Sequence, residues 1–557
     1  MNIKKIYIFL LFFNICSLSF AQEALKSVEE EYYDFLSLTG LTQKPTLGYR
    51  TLSDSKWDIK LTEEGEKNNP WHENNLGTIF TLYQKIDSKK NIFTKGIDES
   101  IKIKAYGPDW FNSFNSAVPY GQNDGALWQG KGYNTAFTAG LRMEAYGFEV
   151  TVKPNLSFSQ NLEFELVPPN YQGSSFAGKA SDFGYYGVRS VDAPQRFGNT
   201  PFWTFDWGDS EIRWTWKNFT LGFGMQSPWL GPAQLNPIIH SNNSASYPKI
   251  DFGLRKTQLY MPHFGWDLGK IEFRTWWGKL EESKYFDLEI SNDNNLLSGF
   301  SINWQVPYFS GLTLGLHRTM LSKWEDINIY TTTGMFIPWM SSKSGEDESD
   351  QRASFTCEYL IEKAGFNLYF EWARNDFQAA EYNFLRYPFH TEAYNIGLKK
   401  AFTFGNSVKG LLAVEITQLG CSQDYTQTYS WFSTFYAHHK ISQGYTQKGQ
   451  WLGAGIGTGG NSQYISFTLF YPRGKSSFSV QRINPDLDYV WFVMDSKDTY
   501  SSNMYTLIDF SIKDTFFFTK SFLGEAVFST ILDLSHNYEF FTKQIDFHIE
   551  LSVKYII

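Results

Sequence analysis

The chain runs to 557 residues, of which only 19% are charged, with a formal balance of −9; this excludes the basic stripe that a nucleic-acid partner demands. Its 33 Tyr, 19 Trp and 50 Phe suit interfacial girdles or sugar-stacking surfaces better than an ordinary core. Beyond the N-terminus no stretch reaches the roughly 18 apolar residues of a membrane helix, so a membrane crossing has to be made by a closed barrel.

Lys4 and Lys5 precede an apolar run over residues 6–13, and Ser19, Phe20 and Ala21 offer a small-x-small cleavage site before Gln22. Residues 1–21 therefore read as a secretory signal peptide. Phe13 and Ile15 are poor predecessors for a lipoprotein cysteine, so Cys16 is expected to leave with the peptide. Two cysteines then remain, Cys357 and Cys421, expected as reduced, isolated strand residues although their compartment permits a disulfide.

Residues 22–70 form a helical and irregular preamble assigned to the periplasmic side. Within it Leu25, Val28, Tyr32, Phe35 and Leu36 recur at helical spacing around Glu29, Glu30 and Glu31, and Gly40 and Pro45 end the run. This amphipathic helix could cap or plug the mouth of a barrel, or lie loosely on its surface.

From residue 71 to 557 the period is two. Ile212, Trp214 and Trp216 alternate with Glu211, Arg213, Thr215 and Lys217, and a second run from Phe219 to Gln226 follows a tight turn at Lys217 and Asn218. Ile250, Phe252 and Leu254 oppose Asp251, Gly253 and Arg255; Ile271 and Phe273 oppose Glu272 and Arg274; Leu368, Phe370 and Trp372 oppose Tyr369 and Glu371. Similar alternation also occupies 141–152 and 156–166. At the end Ile545, Phe547, Ile549, Leu551, Val553 and Tyr555 face away from Asp546, His548, Glu550, Ser552 and Lys554. A tilted strand of roughly 9 to 11 residues crosses a bilayer core, so this run suits a closing stave.

The predicted fold is all-β: an outer-membrane antiparallel β-barrel of about 16 to 18 strands, apolar outside against lipid and charged inside. Segments 168–207, 227–248, 341–351 and 420–449 are too long for periplasmic turns and are assigned to the outside or to folds back into the lumen.

Catalytic apparatus is thin, and no cofactor is expected. There is no H-E-x-x-H, C-x-x-C pair or G-x-S-x-G. His438 and His439 would point to opposite faces of a strand, which disfavours a shared metal. Glu281 and Glu282 read as a solvated face. What stands out is a concentration of flat rings and amides in the expected loops, namely Trp203, Trp207, Trp229, Asn242, Asn243 and Trp431, with Tyr436 beside them. Such groups stack on sugar C–H faces and bond hydroxyls, and Arg255 and Arg274 could meet acidic sugars from the lumen wall.

Several segments carry a family likeness. GDSEIR at 208–213, SPWLGP at 227–232 and SNNSASYP at 241–248 resemble the signature region of the Wzi-type capsule assembly proteins. NDGALWQGKGYN at 123–134, GKLEESKYF at 278–286, DQRASF at 350–355, YFEWARND at 369–376, HTEAYNIGL at 390–398 and GYTQKGQWLGAGIGTGGNSQ at 444–463 resemble the branch of that family found in Bacteroidetes. The resemblance implies a barrel of about eighteen strands with helical material at the periplasmic mouth, and a non-catalytic, lectin-like hold on capsular or other surface polysaccharide. A porin or uptake channel is the alternative. Two departures affect the signature: Pro228 replaces the first tryptophan of the usual pair, and Ser244 replaces an alanine. Ile557 stands where the barrel-insertion machinery usually meets a phenylalanine, with Tyr555 keeping an aromatic on that face.

Overall fold

The computed structural model describes residues 27–59, 69–74, 81–86, 100–170, 181–287, 289–309, 311–337, 349–375, 387–405, 407–421, 434–492 and 503–556. The expected signal peptide and Trp431 lie outside the described residues.

Alternation along each strand gives one apolar and one polar face, and a sheet so patterned can bury neither edge except by closing on itself. It closes here with eighteen antiparallel staves. These are β1 (Ser100–Asn115), β2 (Gly132–Ala145), β3 (Phe148–Val152 continued by Asn155–Ser159), β4 (Phe202–Asp206 continued by Glu211–Trp216), β5 (Phe219–Gly224) and β6 (Lys249–Tyr260). Next come β7 (Asp267–Glu281), β8 (Asn294–Gln305), β9 (Leu312–Lys323), β10 (Ser349–Ile361), β11 (Phe366–Asn375) and β12 (Glu392–Thr403). The ring finishes with β13 (Lys409–Gln418), β14 (Asn461–Tyr471), β15 (Gly474–Asn484), β16 (Thr506–Thr519), β17 (Phe522–Leu534) and β18 (Lys543–Tyr555). β18 returns to β1, His548 opposite Asn115 and Lys554 opposite Asp109, while Thr81–Ile86 pairs with the first residues of β1 along the same edge.

Two sequence expectations change. The 141–152 run is a hairpin, turned at Tyr146 (φ 51°) and Gly147, and the 156–166 run leaves the sheet after Ser159. The 217–218 turn holds: Lys217 and Asn218 take φ of 47° and 73°, the left-handed pair that a two-residue hairpin needs. One rim carries such short turns and the other the long connections. Ile545, Phe547, Ile549 and Leu551 are open on the outer wall as expected. On the inner wall Tyr369 lies across Gly397, where a β-carbon would meet its ring at 2.1 Å.

The lumen is filled. The helix α1 (Val28–Leu38) begins at Ser27, whose hydroxyl accepts from the Glu30 amide at 3.1 Å, and Glu29, Glu30 and Glu31 follow in the first turn. It lies inside the barrel toward the short-turn rim, with Phe35 stacked on Phe470 of β14 at 4.5 Å. Its acids meet the wall: Glu29 pairs with Lys554 at 2.5 Å, Glu31 with Lys475 and Asp34 with Lys399. Beyond α1 the chain climbs the lumen, and the Glu272 carboxylate accepts from the amides of Leu47, Gly48 and Tyr49 at 2.8, 3.0 and 2.7 Å.

Farther along the chain Asp54 enters a ladder of buried charges. Arg255 and Arg274 reach it at 2.8 and 3.1 Å; Arg274 also holds Asp251 at 2.7 Å, and Arg213 joins Asp251 to Glu211 at 2.6 and 2.7 Å. Arg142 and Arg255 share Glu149 at 2.6 and 3.0 Å. Charges out of water persist only when paired in this way.

Candidate functional site

The connection between β5 and β6 turns inward from the long-loop rim. Trp229 and Leu230 pair antiparallel with Arg50 and Tyr49, which joins the inbound loop to the N-terminal segment. Trp229 is 1% exposed, its indole N–H donates to the Ala233 carbonyl at 3.0 Å, and the Arg50 guanidinium sits 5.8 Å from its ring centre. Glu415 accepts from the amides of Gln234 and Asn236 at 2.7 and 2.8 Å, and Glu371 accepts from Ile238 at 3.0 Å.

Asn242 and Asn243 stitch loops together. The Asn243 side chain accepts from the Asn123 amide at 2.9 Å and donates to the Trp451 carbonyl at 3.1 Å, while the Asn242 carbonyl accepts from the Gly125 amide at 2.9 Å. Tyr436 donates to the Ile238 carbonyl at 2.7 Å and accepts from Ala454 at 2.9 Å. His240, bonded to the Tyr247 hydroxyl at 2.8 Å, is pushed down to about 3 by burial and stays neutral.

The structure thus brings Trp229, Asn242 and Asn243 together at the luminal ends of the loops and sets Arg255 and Arg274 in the charge ladder below them. Trp203 and Trp207 are elsewhere, on the outer wall, with Trp203 5.0 Å from Phe158 and Trp207 edge-on to Phe205 at 5.3 Å. His438 and His439 are in a loop rather than on a strand; His438 is buried and accepts from the Lys440 amide at 3.2 Å. Cys357 and Cys421 are not joined by a disulfide; Cys357 lies on β10 as expected, but Cys421 lies beyond the end of β13 and not on a strand.

Toward solvent the long-loop rim carries a cluster of rings that the composition of single loops does not reveal. Trp128, Phe183, Phe197 and Tyr285 come from three connections and are all half-buried. Phe197 is 4.7 Å from Trp128 and 5.7 Å from Tyr285, and Tyr285 is edge-on to Phe183 at 6.0 Å. Cations flank the rings, Arg196 5.2 Å from Phe183 and Lys284 5.2 Å from Tyr285. Trp128 and Tyr285 fall inside two of the family-like segments, which was the available signal.

Beneath this cluster Asp192 accepts from the Ser283 amide and hydroxyl at 2.7 and 2.6 Å, and burial pushes its carboxyl up to about 7. Glu282, expected in open solvent, is half-buried, with one oxygen each from Asp287 and Asp293 within 4.8 Å. Burial, then the charges of Asp192, Asp287 and Asp293, raise it to about 10, so it is protonated at neutral pH. The surface can therefore stack on flat C–H faces and donate from the exposed Lys284.

An apolar wall open to lipid, eighteen staves and a lumen into which the chain itself folds define an outer-membrane β-barrel. Residues 120–483 match the capsule assembly protein Wzi family, and the chain belongs to that family. No curated protein matches it in sequence. Among solved structures it is similar to Wzi of Escherichia coli, an outer membrane protein involved in group 1 capsule assembly and described as a carbohydrate-binding β-barrel. The TM-score is 0.57 at 11% identity, covering 97% of this chain and 100% of that one. Weaker similarity, each at TM-score 0.38 and 9% identity, links it to OccAB4 of Acinetobacter baumannii, covering 81% of this chain and 97% of the other, and to OccK2 of Pseudomonas aeruginosa, covering 82% and 97%.

Proposed function

We propose that the protein retains capsular or other surface polysaccharide on the cell exterior without chemical turnover, through weak contacts at the loop-covered rim. The observation that carries this reading is the ring cluster of Trp128, Phe183, Phe197 and Tyr285 flanked by Arg196 and Lys284, in a chain of the Wzi family. A shallow aromatic site binds one repeat weakly, but a polymer spanning many copies of the barrel gains avidity with no new contact. In this reading Trp229, Asn242, Asn243, Arg255 and Arg274 hold the loops that present the surface, and Trp203 and Trp207 seat the wall in lipid. Deleting the gene should move polysaccharide from cell pellet to medium at constant total. Restoring it with Phe183→Ala and Tyr285→Ala together should fail to bring the polymer back while the barrel inserts normally. An unchanged pellet fraction in the deletion strain sinks retention.

A channel is the second reading, and one feature favours it. Two cavities of about 340 and 460 Å³ flank α1, both touching Glu29, Asp109, Asn123, Asp124 and Lys554. Single-channel conductance in a planar bilayer separates the two: a steady open pore supports transport, and silence supports an anchor.

A further inference from the structure

The connection between β9 and β10 does not turn inward with the others. Residues 324–337 fold down over the outside of the barrel. The outward row Ile250, Trp277, Ser298, Met320 and Gln351 crosses five adjacent staves toward the long-loop rim. On it the Trp277 indole donates to the Thr332 carbonyl at 2.8 Å and the Ser298 hydroxyl to the Thr331 carbonyl at 3.1 Å. One row nearer the short-turn rim, Arg318 donates to the carbonyls of Met335 and Ile337, both at 2.9 Å, and Phe300 stacks on Phe336 at 5.5 Å. Ser298, Met320 and Arg318, although on the lipid side of the wall, are therefore buried. The next outward row, with Leu316 and Phe355, is open again.

What the flap turns outward is mostly apolar, with Glu325 and Asn328 the exposed polar residues. Ile329 is 66% exposed and Tyr330 64%, with Ile327 and Phe336 also open. The polar groups of its short helix are satisfied within the flap: the Asn328 side chain caps Ile329–Thr333, and the hydroxyls of Thr332 and Thr333 donate back to the carbonyls of Asn328 and Ile329. A segment that closes the polar groups of its helix and shows aliphatic and aromatic surface beside an exposed carboxylate is built for the boundary between lipid and water. Its apolar surface continues the lipid-facing band through the Phe300–Phe336 stack.

We infer that residues 324–337 are a membrane-binding collar, seated at the headgroup level of the outer leaflet with Ile327, Ile329, Tyr330 and Phe336 in lipid. The collar would fix the barrel's depth on one side of its circumference only, and lipid, not protein, is its occupant.

The test places a nitroxide at Tyr330→Cys, in the full chain carrying Cys357→Ser and Cys421→Ser, reconstituted in phospholipid vesicles with a water-soluble nickel chelate on both sides. Leu316→Cys supplies the lipid reference, and Glu163→Cys, 88% exposed, supplies the aqueous one. The expected result is a ratio of oxygen to nickel relaxation shifted from the Glu163 value to near the Leu316 value, repeated at Ile329→Cys should Tyr330→Cys not insert. A ratio at the Glu163 value would overturn the collar by putting the flap in water. Protection from both agents with spin–spin broadening would overturn it in favour of a second copy of the chain.

Discussion

Asp54→Asn tests whether the N-terminal segment is a bolted part of the barrel or a passenger. Burial opposes ionisation of Asp54, yet Arg274 and Arg255 hold its carboxyl down at about 2. A carboxyl lowered that far from its usual range near 4 carries about 2–3 kcal/mol of pairing. Because the folded value is depressed, this contribution is complete above pH about 4 and fades as pH falls toward about 2, so it is all present at neutral pH. The variant keeps the volume and removes the charge. Arg274 retains Asp251 and Arg255 retains Glu149, so the loss should stay near that figure and below the about 3–5 kcal/mol of a guanidinium left wholly unpaired. The readout is amide exchange at Asp54 and Ser55, whose N–H groups donate to Thr51 and Leu52 at 3.2 Å. If they exchange by local release of the segment, exchange at neutral pH should accelerate roughly 30- to 150-fold. Unchanged exchange would refute the reasoning and assign the segment's anchorage to its other contacts, at α1, Glu272 and Trp229.

Three further outcomes follow from the same contacts. Trp229→Ala, emptying a fully buried site, should cost about 3–5 kcal/mol and lower the temperature at which the folded barrel loses its fast gel mobility; an unshifted transition would mean that the loop does not depend on its anchor. Glu415→Ala strands the Gln234, Leu235 and Asn236 amides, each at a cost of about 1–3 kcal/mol if no water replaces the carboxylate, and should open residues 225–248 to protease added from outside, whereas continued resistance would show that Glu371 and Tyr436 suffice. For Asp192 the sign is the reverse of Asp54: with its folded value raised to about 7, its contribution is complete below pH about 4 and is lost as pH climbs through 7. Protection of the Ser283 amide, corrected for intrinsic exchange, should decline across that window in the native protein and be flat in Asp192→Asn; a flat native profile would refute this.

Much of the wall was legible because lipid and lumen impose opposite demands on alternate residues. Residues 211–217 and 219–226 announce a hairpin in that way, and the face assigned to Arg213, Asp251, Glu272 and Arg274 is the inner one. The breaks were not legible. Tyr146 at a left-handed turn looks like one more aromatic of the 141–152 run, and nothing in 156–166 marks where Ser159 leaves the sheet. The interior was harder still. A loop facing water and a loop facing a polar lumen need the same hydrogen-bonding side chains, so Asn243 and Trp229 carry no mark of the side they serve. The rings of Trp128, Phe197 and Tyr285 are ordinary one by one and acquire meaning only where three connections converge.

The position of α1 also dictates an order of assembly. The helix is made first, but its wall partners Lys399, Phe470, Lys475 and Lys554 are made last, and β1 gains its second full neighbour only when β18 exists. Contacts separated by nearly the whole sequence carry the largest loop-closure cost and slow folding most. The N-terminal segment can therefore complete its docking only after the last staves are made, and the barrel can seal only with its contents already aboard.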